Sequence, residues 1–106
     1  MTTLDASTWE TVERLRDWLD AESPVSPDEA RLLRVLKIGE EFGEVAEALH
    51  GAWAANPRKG ASHTWQDVQK ELCDVALTTL VALATLTPDA QKVFEERLRQ
   101  IADRSL

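Results

Sequence analysis

Five carboxylates fall into two groups whose spacing suits a hard cation. Glu40, Glu41 and Glu44 stand together in one stretch, and Glu71 and Asp74 repeat the Glu41–Glu44 interval further along. Residues three and four apart are neighbours on a helix surface. Two helices that each present such a pair can therefore converge on one divalent cation through oxygen ligands. The second pair carries the stronger signal. From Leu72 to Leu86 every residue except Asp74 is apolar or small and uncharged. A helix there is apolar around its whole circumference and is expected to be buried, and Asp74 with it. An uncompensated buried carboxylate costs several kcal/mol, and Glu71, one turn earlier, adds a second like charge. Lys70 is expected to project from another side of Glu71, which leaves Asp74 without a basic partner on its own helix. A bound cation resolves the conflict.

On the first stretch, Glu40, Glu44 and Glu47 form a stripe opposite the apolar side, with Glu41 on its flank. Such a stripe alone is ordinary solvated surface. Glu71 and Asp74 change that reading, because their helix has no polar side to dissolve them in. Lys37 lies one turn before Glu41 on the same flank and is expected to orient that carboxylate or to reach a phosphate. Glu47 and His50 have the spacing of di-iron carboxylate bundles, but those need the Glu-x-x-His pair twice. His63 has Gly60 three residues before it, so the second pair is missing.

The elements that must hold these residues are helices. Ser7 with Glu10 reads as a capping box, and Trp9, Val12, Leu15, Arg16 and Leu19 keep helical spacing to about Glu22. After a Ser23-Pro24-Val25 linker, Ser26-Pro27-Asp28-Glu29 is a strong helix start. That second helix should run to about Ala54, with Val35, Ile38, Phe42, Val45, Ala46, Leu49 and Trp53 as its core face and Leu32, Leu33 and Leu36 as a second apolar patch. Asn56-Pro57-Arg58-Lys59-Gly60 is a turn-forming loop. Thr64 caps a third helix over 65–86, with Asp67 in its first turn, and Thr87-Pro88-Asp89 starts a fourth, amphipathic one. No alternating strand pattern occurs. The expectation is an all-α four-helix bundle in a single domain spanning 1–106. Three amphipathic helices of this size enclose a fully apolar one poorly, so a second subunit is expected to cover the remaining face.

With 106 residues, 43% of them hydrophobic and 29% charged, the chain has the composition of a soluble globular domain. Its net charge of −7, with no basic cluster beyond Arg58-Lys59, argues against nucleic acid as a partner. Cys73 is the sole cysteine, which excludes an internal disulfide, and is read as a small core residue. No signal peptide or membrane-length apolar run is evident, so a cytoplasmic location is expected.

Glu40-Glu41-Phe42-Gly43-Glu44, followed after a loop by Glu71-Leu72-Cys73-Asp74-Val75, resembles the EExxE…ExxD signature of the MazG-like all-α nucleoside triphosphate pyrophosphatases. That group includes MazG, the dCTP pyrophosphatases and the dimeric all-α dUTPases. Lys37 and the Gly43-Glu44-Val45-Ala46-Glu47 run are similar to it as well, and the likeness covers about residues 32–86. It implies a helical bundle completed by dimerisation, as a homodimer or higher homo-oligomer. It also implies Mg2+, or Mn2+ in its place, held by Glu41, Glu44, Glu71 and Asp74, with Glu40 as ligand or support. The implied reaction is hydrolysis of a nucleoside triphosphate to the monophosphate and pyrophosphate. Members of that group often carry Lys and Asn on the last helix near the phosphates. This chain has no Asn there, and Arg97, Arg99, Arg58 and Lys59 are the groups left for that role. Trp53 and Trp65 flank the loop and can stack on a base or pack in a core or subunit interface. The alternative from another class is a non-catalytic metal-binding helical dimer that acts as a structural or regulatory partner.

Overall fold

A computed structural model describes residues 4–54, 57–58 and 60–106. Four helices carry these residues: α1 (Ala6–Glu22), α2 (Pro27–Ala52), α3 (Trp65–Leu86) and α4 (Ala90–Ser105). No strand occurs among the described residues, so the protein is all-α. The chain divides into two compact units, one made of the segment up to Arg31 together with Leu80–Leu106, the other of Leu32–Thr79. No single described helix is long and apolar enough to cross a membrane.

Local chemistry sets each helix start. At α1 the cap is Asp5 rather than the expected Ser7. Its Oδ1 accepts from the Thr8 backbone N–H and from the Ser7 and Thr8 hydroxyls, each at 2.9 Å. A carboxylate is favoured over a hydroxyl at a helix N-terminus because the dipole there is positive. Those donors, the Thr8 N–H foremost, hold the Asp5 carboxyl below its ordinary value. Ser26 and Glu29 form the expected capping box. Ser26 Oγ accepts from the Glu29 N–H at 3.2 Å and donates to Glu29 Oε1 at 2.9 Å. Removing the hydroxyl in Ser26→Ala should lower stability by about 1 kcal/mol, read as a lower urea midpoint with an unchanged slope. Thr64 and Asp67 cap α3 reciprocally at 2.8 and 3.1 Å. α4 begins later than expected, at Ala90, because the Thr87 hydroxyl accepts from the Asp89 N–H at 3.1 Å and closes a turn before the helix. α2 stops at Ala52, and Ala54 then adopts a left-handed φ of 56° that turns the chain away.

The first unit holds the main core. Trp9 and Val12 of α1 pack with Leu80, Val81 and Ala84 of α3 and with Ala90 of α4, flanked by Leu19, Leu83 and Phe94. The Trp9 and Phe94 rings meet edge-on at 5.6 Å, an arrangement favoured by the aromatic quadrupole. Arg16 Nη1 donates to the Ala84 carbonyl at 3.1 Å, satisfying one of the acceptors that a helix end leaves open.

The second unit pairs the rest of α2 with the first part of α3. Trp53 meets Trp65, while Glu41 and Glu44 meet Glu71. As one helix ascends in number the other descends, so the two are antiparallel. The backbone at Gly51 passes so close to the loop that an added Cβ would collide with His63 and Ser62.

Burial in this unit departs from the sequence expectation. The face of α2 that is covered runs through Arg34, Val45 and Ala48, with Ile38 and Glu41 half-buried. The face expected to be core is split: Val45 is buried and Ile38 and Ala46 are half-buried, whereas Val35, Phe42, Leu49 and Trp53 are exposed, Phe42 by 64%. α3 was expected to be buried all round; instead Leu72, Cys73 and Leu77 are exposed. Two helices can each cover only one side of the other, so the second apolar side of both stays open.

Candidate metal centre

Glu41, Glu44 and Glu71 come together. One carboxylate oxygen of each lies within 4.8 Å of the other two. α2 supplies the first two from adjacent turns and α3 the third, so the convergence predicted from spacing is met by these three. Glu41 is turned inward, its side chain 13% exposed, beside the buried Val45 and Ala48 row. Glu71 is 18% exposed; its Oε1 lies 3.3 Å from Lys70 Nζ, whereas Oε2 is buried with no hydrogen-bond partner. A buried acceptor without a donor costs about 1–3 kcal/mol, more when charged, and carboxylates so close repel one another.

The protonation of Glu44 reflects this crowding. The neighbouring Glu41 charge, with a hydrogen bond to Glu71 second, pushes its carboxyl above the usual value of 4.5. The folded chain thus holds a proton on Glu44 more readily than the unfolded chain does. The stability tied to that proton is complete below the ordinary value and is lost as pH rises through the raised one. A divalent cation held among these oxygens would take the proton's place, so metal and proton would compete. If Mg2+ binds there, the rise in melting temperature it produces should be largest near neutral pH and shrink as pH falls and Glu44 takes up its proton. Thermal melts with Mg2+ and with chelator across that range measure it.

The donor set fits Mg2+ or Mn2+. All three groups offer hard oxygen atoms, and oxygens on opposite sides of Mg2+ stand about 4.2 Å apart, twice its usual bond length. Three ligands on one octahedral ion include at least two adjacent pairs about 3 Å apart, so oxygens mutually within 4.8 Å would have to draw closer on binding.

Asp74 stands differently from its expected place. Its side chain is 39% exposed, and it has a basic partner on its own helix: Lys70 Nζ lies 3.2 Å from Oδ2. Lys70 and Asp74 are four apart, the spacing at which helix side chains meet, and the sequence carried that signal. The Asp74 and Glu71 carboxylates together raise the Lys70 ammonium above its ordinary pKa. On α2, Lys37 Nζ lies 3.6 Å from Glu41 Oε1 and 4.0 Å from Glu40 Oε2, so it flanks the site, while Glu40 itself is 74% exposed.

The other expected contributors are scattered. Trp53 and Trp65 form an edge-to-face pair at 6.0 Å, and both are exposed rather than packed in a core. Arg58 is exposed on the loop, and Lys59 lies outside the described residues. Arg97 and Arg99 belong to the first unit. There Arg97 donates to Gln100 at 3.3 Å. Arg99 lines an open groove with Glu13, Lys92 and Glu95. Glu47 and His50 are exposed and join no metal-ligating group among the described residues.

No family model, curated protein or solved structure was found to match this chain.

Proposed function

We propose that the chain is a Mg2+-dependent nucleoside triphosphate pyrophosphohydrolase of the MazG-like kind, cleaving (d)NTP and water to (d)NMP and pyrophosphate. Such an enzyme serves nucleotide-pool control or the removal of unwanted nucleotides. The observation that carries the reading is the convergence of Glu41, Glu44 and Glu71 from two antiparallel helices. The EExxE…ExxD spacing of these residues with Glu40 and Asp74 supports it. Glu41, Glu44 and Glu71 would hold the metal, with Asp74 as a further ligand and Glu40 as support. Held by these carboxylates, Mg2+ would supply charge neutralisation at the phosphate oxygens and acidity to a bound water. Lys37, which flanks Glu41, would draw the phosphates to an otherwise acidic surface, and one carboxylate would take the proton from the attacking water. The Trp53–Trp65 pair offers exposed ring faces for a base.

The working form is proposed to be a cytoplasmic homodimer or higher homo-oligomer, with Phe42, Leu36, Leu72 and Leu77 covered by another copy. Sedimentation at micromolar concentration should give no folded monomer, and a stable monomer contradicts this part of the reading. Incubation with Mg2+ and a panel of triphosphates tests the activity. Pyrophosphate and monophosphate should appear in equal amounts and vanish with chelator. Absence of turnover with every nucleotide, while Mg2+ still binds, favours the non-catalytic metal-binding alternative.

A further inference from the structure

Lys70 places a cation where the acid group needs one. Its ammonium spans the two acids of α3, 3.3 Å from Glu71 Oε1 and 3.2 Å from Asp74 Oδ2. One of those acids belongs to the converging group and the other stands just outside it. The arrangement leaves Glu71 with one oxygen satisfied and one buried and unpartnered. The Lys70 side chain is 67% exposed, so its ammonium is free to move to water without unpacking the helix.

We propose that Lys70 is a built-in competitor for the divalent cation: its ammonium holds Glu71 and Asp74 in the metal-free protein and is displaced when metal enters. The inference rests on the metal reading above and adds an exchange to it. Entry of the metal breaks the two Lys70 ion pairs and frees Asp74 Oδ2 to turn towards Glu71 and the two α2 glutamates. Four carboxylates then face one cation, and the released ammonium lies beside the site, where a phosphate can receive it. The exchange accounts for both departures of Asp74 from expectation, its basic partner and its separation from the other three acids. It also has a use. A lysine tether weakens the repulsion between Glu71 and Asp74 when metal is scarce, and it sets a threshold of metal concentration below which the site stays closed.

The test uses the full chain and Mg2+ alone, followed by calorimetric titration. Lys70→Met keeps the aliphatic stem and removes the charge. It should bind Mg2+ about three- to tenfold more tightly, the size expected when two partly exposed ion pairs no longer have to be broken. The same substitution in an Asp74→Asn background should gain clearly less, because one of the two carboxylates that Lys70 withholds is already gone. An equal gain in both backgrounds would assign the effect to net charge alone and overturn the exchange. A wild type that binds Mg2+ while Lys70→Met binds it no more tightly overturns this inference and leaves the metal site standing. A wild type that binds no Mg2+ overturns both.

Discussion

Glu71→Gln should leave the protein folded, raise the melting temperature of its metal-free form and abolish Mg2+-dependent turnover. Glu71 is the member of the acid group whose Oε2 is buried and without a partner, and its charge is one cause of the raised Glu44 carboxyl. Glutamine has the same shape, carries no charge and adds an N–H2 group that can donate to Glu44. The metal-free variant should therefore melt about 2–4 °C higher, a relief appropriate to like charges on a domain of this size. Turnover responds in the opposite direction. Residues that merely support a ligand are typically worth 10–100-fold, so losing the ligand itself should cost at least about a hundredfold. The opposed signs matter. A Glu71 that served only the fold would lose stability on substitution, with Mg2+ or without it. Asp74→Asn should likewise depress turnover, with little change in metal-free stability because its ion pair with Lys70 is partly exposed.

Trp9→Ala is expected to have the largest effect on folding. Trp9 is 2% exposed and touches the centre of the first unit's core, where its ring meets Phe94. Truncating a buried Trp costs about 3–5 kcal/mol through lost transfer energy and the cavity left behind. Small domains hold only about 5–15 kcal/mol in all, so the variant should be largely unfolded or melt far lower, as circular dichroism would show. Trp9→Phe should fall between the two. It gives up ring volume, but it also removes an indole N–H that is buried without a hydrogen-bond partner.

The helices were legible in the sequence because their signals are local. The Ser26–Glu29 box, the Thr64 cap and the 3.6-residue periodicity each act within one turn, and all survive in the structure. The start of α1 was misplaced by two residues because Ser7 and Asp5 are both good caps, and the charged one prevailed. Convergence of Glu41, Glu44 and Glu71 was also readable, since three-residue spacing fixes which carboxylates share a side. Which side of α2 is covered is only partly readable: Val45, Ile38 and Ala46 follow the expectation and their larger neighbours do not. Phe42, Leu49 and Trp53 share the expected face with Val45 yet are exposed, whereas Val45 and the charged Arg34 are buried. Apolarity says that a face will be covered; it does not say by which neighbour, and α3 covers only one side. Asp74 departs from expectation for a related reason: its burial depends on the apolar residues around the helix, and those are themselves half open.

In the proposed mechanism everything depends on a divalent-cation site at Glu41, Glu44 and Glu71. Electron paramagnetic resonance of Mn2+ tests it most directly, because free Mn2+ gives a sharp signal that binding removes. The wild type should deplete that signal saturably, Mg2+ should restore it, and Glu71→Gln should deplete it far less. Undiminished free Mn2+ in the presence of folded wild-type protein, or equal depletion by Glu71→Gln, would contradict the account.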